Sequence, residues 1–128
     1  MSAIEPPFNN VRVLLLEDDF IILMNNMETL QALGCDVVPC VDNAEAFEAL
    51  GRSPPQAALL DVNLGGNTSY PVAEALEQIG VPVGFLTGYA SAALDKKWQD
   101  RPHCEKPCDK SDLWALLDRV LLRRTKIA

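Results

Sequence analysis

The chain has 128 residues, of which 11 are basic and 18 acidic, giving a net charge of −7. At roughly 150 residues per domain this predicts a single domain, and 48% hydrophobic with 23% charged residues places it among globular chains and outside the disordered class. The acidic excess disfavours binding to phosphate backbones; no apolar run nears the roughly 18 residues of a membrane span, and no basic-then-apolar leader opens the chain, so a cytoplasmic domain that binds neither nucleic acid nor membrane is expected.

Residues 1–9 look loose, and the first element follows them. Val11 to Leu16 is a short, nearly continuous apolar run, the mark of a strand buried on both faces. Phe20, Leu23, Met24, Met27 and Leu30 then recur at helical spacing until Gly34 stops the pattern. Met24 and Met27 read as core fillers. Asp36 to Val41 is a second strand, and Pro39 assigns it to a sheet edge because proline cannot donate to a ladder. Asp42, with Glu45 three residues on, caps a helix through Leu50.

Pro54-Pro55 breaks the chain, and Ala57 to Leu60 forms a third strand that ends at Asp61. Residues 63–68 are a loop by composition; its Gly65-Gly66 has no following lysine and is not a phosphate-binding P-loop. Pro71 suits a first helical turn, and Val72, Ala75, Leu76 and Ile79 supply its stripe before Gly80. Val83 to Leu86 is the fourth strand, ending at Thr87-Gly88. Ala90 to Trp98 predicts a weaker, shorter helix. A brief fifth strand falls near Pro102 to Glu105. Asp109 then opens a last helix with stripe Leu113, Leu116, Leu117, Val120 and Leu121. Both Trp98 and Trp114 read as packing residues. Arg119, Arg123, Arg124 and Lys126 gather at the end of this helix, where positive charge complements its dipole.

Four cysteines, Cys35, Cys40, Cys104 and Cys108, are spaced C-x4-C and C-x3-C. Neither gap matches a zinc ribbon or a thioredoxin-like motif. Buried free thiols are the expectation, although Cys104 and Cys108 flank Lys106, which leaves a weak case for a redox input.

Alternating strands and helices imply an α/β fold, a doubly wound parallel sheet with helices on both faces. In such sheets ligands bind beyond the carboxyl ends of the strands. Strand one ends in Glu17-Asp18-Asp19, strand three in Asp61, strand four in Thr87-Gly88, and strand five runs into Lys106-Pro107. Two carboxylates about 4 Å apart repel by roughly 4 kcal/mol at an effective dielectric near 20. A bound divalent cation relieves the conflict, and an all-oxygen ligand set suits Mg²⁺. A cation, an ammonium and a hydroxyl at one corner suit an anionic phosphoryl group. Asp61, leaving an apolar strand directly into that corner, is the natural nucleophile for an aspartyl phosphate.

The segments Leu14-Leu-Leu-Glu17-Asp18-Asp19, Leu59-Leu-Asp61-Val-Asn63, Phe85-Leu-Thr87-Gly88-Tyr89 and Glu105-Lys106-Pro107 resemble those of the receiver domains of bacterial two-component response regulators. Each motif alone is weak; all four in order, at strand ends and over about residues 10–124, are strong together. The fourth-strand segment also looks like a stand-alone subgroup carrying Phe-x-Thr-Gly-Tyr. The resemblance implies a flavodoxin-like sheet of order 2-1-3-4-5, with 125–128 as a tail. It implies that Asp61 accepts a phosphoryl group from a histidine kinase or a histidine phosphotransfer protein. Mg²⁺ would be held by Asp18, Asp61 and the Asn63 carbonyl, with Glu17 helping through water. Thr87 would be the switch hydroxyl and Lys106 the partner of the phosphoryl charge, aimed by a cis Lys106-Pro107 bond. His103 stands where receivers commonly carry an aromatic switch residue, so pH could bear on the switch, and Tyr89 could take over the aromatic part. No output domain fits in 128 residues, so the expected output is contact with a downstream protein through the fourth helix, fifth strand and last helix, or drainage of phosphate from another regulator, by a monomer or weak homodimer. The chain would then be no enzyme beyond its own phosphorylation and dephosphorylation.

Three other readings fit less well. A pseudo-receiver, an interaction module that is never phosphorylated, would not require the full acidic, threonine and lysine set. A flavin mononucleotide carrier would want a glycine- and hydroxyl-rich loop after strand one, where three carboxylates stand instead. A D-x-D phosphatase would want a second acid at Asn63.

Overall fold

The structure is a computed structural model that describes the backbone of residues 6–88 and 94–127, with side chains through residue 123. Five parallel strands, β1 (Arg12–Leu16), β2 (Asp36–Cys40), β3 (Ala57–Asp61), β4 (Val83–Thr87) and β5 (His103–Glu105), form one sheet in the order β2-β1-β3-β4-β5. Four α-helices, α1 (Phe20–Ala32), α2 (Asn43–Arg52), α3 (Tyr70–Gln78) and α4 (Lys110–Ile127), cover its two faces. The expected order holds, and β2 takes the edge that Pro39 requires. β1 and β3 are paired neighbours, from Val13 beside Ala57 to Leu16 beside Leu60. From β1 the chain first adds β2 on one side and then β3 on the other, so the crevice beyond the carboxyl ends of β1 and β3 is the switch point of the sheet.

Each central strand divides its side chains between two cores. Leu14, Leu16, Ala58, Leu60 and Phe85 face α2 and α3. Val13, Leu15, Ala57, Leu59 and Leu86 face α1 and α4. All ten are fully buried, which explains why these strands read as unbroken apolar runs. Gly84 sits where α4 crosses β4: an added Cβ would lie 2.6 Å from Val120 Cγ2, so only glycine admits the helix at this depth.

Local signals set the helix starts. Asp19 caps α1 by accepting from the Ile21 and Ile22 amides at 3.0 and 3.1 Å. Asp42 accepts from Glu45 N at 2.8 Å, and Glu45 reaches back to the Val41 amide at 2.9 Å. Asp109 and Asp112 exchange amide bonds at the start of α4, a reciprocal box.

Several expectations need correction. Phe20 is 66% exposed, while Asn26 is buried on the inward stripe of α1. Ile79 is 54% exposed, because α3 ends at Gln78 and the buried stripe is Val72, Ala73 and Leu76. Of the helix expected over 90–98, residues 90–93 lie outside the described part, and the remainder holds only a single 3-10 turn, Lys96–Trp98. Asp95 is extended there, its amide bonded to the Tyr70 hydroxyl at 2.9 Å, and Trp98 stacks on the Tyr70 ring with centroids 5.8 Å apart. Tertiary anchoring by one ring and one hydroxyl has replaced helical hydrogen bonds in this segment. Trp98 is buried as expected, but Trp114 is half-exposed and packs on Phe8. The N-terminal segment is not loose at Phe8, which is buried and bonds its amide to Leu33 O at 2.9 Å. α4 runs to Ile127, past the boundary expected at 124. Cys35 and Cys40 are buried free thiols, whereas Cys104 and Cys108 are only partly buried. No described helix is long and apolar enough to cross a membrane.

Candidate functional site

The carboxyl ends of β1, β3, β4 and β5 converge on one corner. β1 delivers Glu17, whose amide bonds Cys40 O at 3.0 Å and so continues the β1–β2 ladder by one residue. Its side chain is almost wholly buried (1% exposed), and Oε1 accepts from the Asp19 amide at 3.2 Å. β3 delivers Asp61, likewise buried. β4 delivers Thr87, buried, whose carbonyl accepts from the Lys106 amide at 2.7 Å. That bond extends the β4–β5 pairing past Glu105 and fixes where the Lys106 side chain starts. The Lys106–Pro107 peptide is cis, as expected.

Lys106 Nζ lies 2.9 Å from Glu17 Oε2 and 3.0 Å from Asp61 Oδ2. One ammonium therefore bridges two buried carboxylates. Glu17, Asp18 and Asp61 each offer an oxygen, and the three oxygens lie within 4.8 Å of one another, with Asp18 exposed. The corner carries three carboxylates against one ammonium. Burial pushes the Asp61 carboxyl up to about 6, opposed by the Lys106 hydrogen bond and aided by the charge of Glu17. Burial works against the Lys106 ammonium, but its bonds to Glu17 and Asp61 more than offset this and hold its pKa above that of a free lysine.

The donor set is all oxygen and its charge is unbalanced, so the cluster could hold Mg²⁺. Gly65 supports that fit. Its φ is +61°, and a Cβ there would approach Asp18 Oδ2 to 3.2 Å, so glycine keeps the exposed side of the acidic corner open. The loop it belongs to is closed by a bridge between Asn63 and Thr68. Composition placed Gly65-Gly66 in a loop but gave no reason for glycine; the positive φ next to an acid is that reason.

Of the residues singled out from sequence, Glu17, Asp18, Asp61 and Lys106 are brought together, and Thr87 joins them through the Lys106 backbone. Asn63 follows Asp61 by two residues on the loop. His103 stands apart: it lies on β5 opposite Phe85, partly buried, with Nδ1 3.1 Å from Arg101 O. Tyr89 lies outside the described residues. The direct pairing of Glu17 with Lys106 was missed, because nothing in the spacing of residues 89 apart signals it. Sequence reading also gave Asp19 no particular duty; it caps α1.

A cleft of about 390 Å³ adjoins the corner, lined by Ile22, Asn25 and Asn26 of α1 and by Lys106, Pro107 and Cys108. Phe20 and Ile21, 66% and 72% exposed, stand at the start of the same helix.

No family model matches the chain. It is 31% identical over 124 residues to the transcriptional regulatory protein PrrA of Mycobacterium tuberculosis, covering 91% of this chain and 52% of PrrA. It is 31% identical over 125 residues to the response regulator MprA of Mycobacterium ulcerans, covering 92% and 53%. The chain thus spans about half the length of the curated relatives it matches. In fold it is similar to a response regulator receiver protein from Sinorhizobium medicae, with a TM-score of 0.76 and 22% identity over 90% of this chain and 97% of that one. The architecture is the flavodoxin-like receiver fold. The curated relatives are named as a transcriptional regulatory protein and a response regulator, and the structural neighbours share this chain's fold.

Proposed function

We propose that the chain is a phospho-accepting signalling switch. Asp61 takes a phosphoryl group from the phosphohistidine of a kinase or phosphotransfer protein. The observation that carries this reading is the buried, unbalanced corner in which Lys106 Nζ bridges Glu17 and Asp61 while Asp18 stands open beside them.

In the transfer, an Asp61 carboxylate oxygen forms the new O–P bond. The N–P bond of the donor breaks, and the histidine ring keeps the electron pair and takes up a proton. Asp61 must be ionised to attack. Glu17, Asp18, Asp61 and the Asn63 carbonyl would hold Mg²⁺, which when bound offsets the carboxylate charge and that of the incoming phosphoryl oxygens. Lys106 is placed to leave its shared position between the two acids and pair with the phosphoryl charge. Thr87, one register position beyond Asp61 on the neighbouring strand, supplies the hydroxyl that reports occupancy, and the state so stabilised is read by a protein partner. Phe20 and Ile21 give a protein donor an apolar foothold beside the acidic corner. The stand-alone type, a cytoplasmic location and the absence of turnover on other substrates belong to the same proposal, as do roles for His103 and Tyr89 in the readout.

Intact mass after incubation with acetyl phosphate tests the reading. The expected result is a gain of one phosphoryl group with Mg²⁺, lost with EDTA and in Asp61→Asn. A protein that takes up no phosphoryl group, and whose Trp fluorescence is unmoved by beryllofluoride, would instead be an interaction module on the same fold.

A further inference from the structure

Cys104 is the middle residue of β5 and Cys108 follows the cis Lys106–Pro107 bond, so the two cysteines bracket the lysine of the acidic corner. Their sulfurs are 2.7 Å apart, well inside ordinary sulfur–sulfur contact. Closing to a disulfide length of roughly 2.05 Å takes a shift of only about 0.7 Å. Both residues are partly exposed, whereas Cys35 and Cys40 are 7% and 2% exposed. The chain therefore holds two classes of thiol: a sealed pair in the core and a reachable pair already in contact.

We propose that Cys104 and Cys108 are a modification site, a dithiol that is oxidised reversibly to an intramolecular disulfide by small-molecule disulfides of the glutathione type. The Cys104 thiolate attacks one sulfur of the oxidant, forming a mixed disulfide and releasing one thiolate. Cys108 then loses its proton and attacks the Cys104 sulfur, and the second small thiol leaves. Two protein thiols are oxidised and one small disulfide is reduced to two thiols, so electrons and protons balance. The two sulfurs touch, and in that contact Cys108 lowers the Cys104 thiol while Cys104 raises that of Cys108, which favours Cys104 as the first thiolate. Burial raises both thiols above their ordinary range, Cys108 the more so because Cys104 lies against it. The first step is then slow and the second, between touching sulfurs, fast. The disulfide closes a ring of five residues with Lys106 inside it. The proposal concerns the thiol chemistry alone and stands whether or not Asp61 accepts a phosphoryl group.

The test uses the full chain incubated at pH 8 with oxidised glutathione, then alkylated and digested with trypsin. Trypsin spares Lys–Pro and Arg–Pro bonds, so residues 98–110 stay on one peptide with both cysteines and without the core pair. The expected result is loss of two hydrogens in that peptide, reversed by dithiothreitol, with Cys35 and Cys40 alkylated only after unfolding. In Cys108→Ser, the mixed disulfide should persist on Cys104 as a glutathione adduct. Persistent adducts on the wild type, a covalent dimer, or an unoxidised 98–110 peptide would each overturn the proposal. The wild-type map alone decides it if the variant does not fold.

Discussion

Arg101 enters β5 and Lys106 leaves it, and the fold treats the two cations differently. Arg101 makes two parallel bonds to Glu77, both 2.9 Å, a further pair with Asp100, and lies 4.9 Å from the centre of the Trp98 ring. One cation meets a half-buried carboxylate fork and an aromatic face, and its second acid, Asp100, is 70% exposed, so no buried charge is left uncompensated. Lys106 meets two buried carboxylates with a third beside them. Its charge is divided and the corner stays net negative. A matched pair fastens the segment after Trp98 to α3; an unmatched corner stores a demand for more positive charge. That demand, more than the presence of charge, distinguishes a site from a brace.

The contrast can be broken from either side. Lys106→Met should have the largest effect, since it leaves two buried acids uncompensated; breaking a buried pair costs roughly 3–5 kcal/mol, and the lower end applies because the Lys106 side chain is 21% exposed. Urea unfolding at pH 7 in EDTA would measure it. The loss should shrink at pH 5, where Asp61 is protonated.

Mg²⁺ should act in the opposite direction on the wild type. A ligand at 100 times its Kd stabilises by about 2.7 kcal/mol. The rise in Tm should be present at pH 7.5, fade below about pH 6 as Asp61 takes up its proton, and be weakened in Asp18→Asn. Arg101→Met should cost less, about 2 kcal/mol, for a lost charged hydrogen-bond pair and ring contact. It should leave phosphoryl uptake unchanged, because the Arg101 side chain bonds Glu77, Asp100 and the Lys97 carbonyl, all away from the acidic corner.

The site was largely legible because the strands are. Runs such as Leu14 to Leu16 and Leu59 to Leu60 are buried on both faces, so each run marks where a strand ends and what residue stands there. Acid, acid, threonine and lysine at those ends gave the corner without any contact being known. What stayed hidden depends on long-range packing. Phe8 docks under α1 and beside Trp114 through no local pattern. The segment 94–98 has helix-forming composition, but Tyr70 and Trp98 hold it otherwise. Ile79 and Phe20 fit helical stripes by spacing and are nonetheless exposed, one past the helix end and one at its first turn. The Glu17–Lys106 pair joins the first strand to the last, a distance no periodicity spans.

The pH dependence of Asp61 isolates the claim best, because it is a difference between two proteins across pH. Asp61 has a folded pKa of about 6 against roughly 3.9 unfolded. The folded chain then holds more protons than the unfolded one between these values, so this group's contribution falls as pH rises from 4 to 6 and is flat above. The whole change is about 3 kcal/mol. The measurement is unfolding free energy in EDTA from pH 4 to 8 for wild type and Asp61→Asn. The variant is expected to gain on the wild type by up to that amount between pH 4 and 6 and to hold the gain to pH 8. Parallel curves would mean that Asp61 is already compensated, and would contradict the account of an acidic corner built to accept further positive charge.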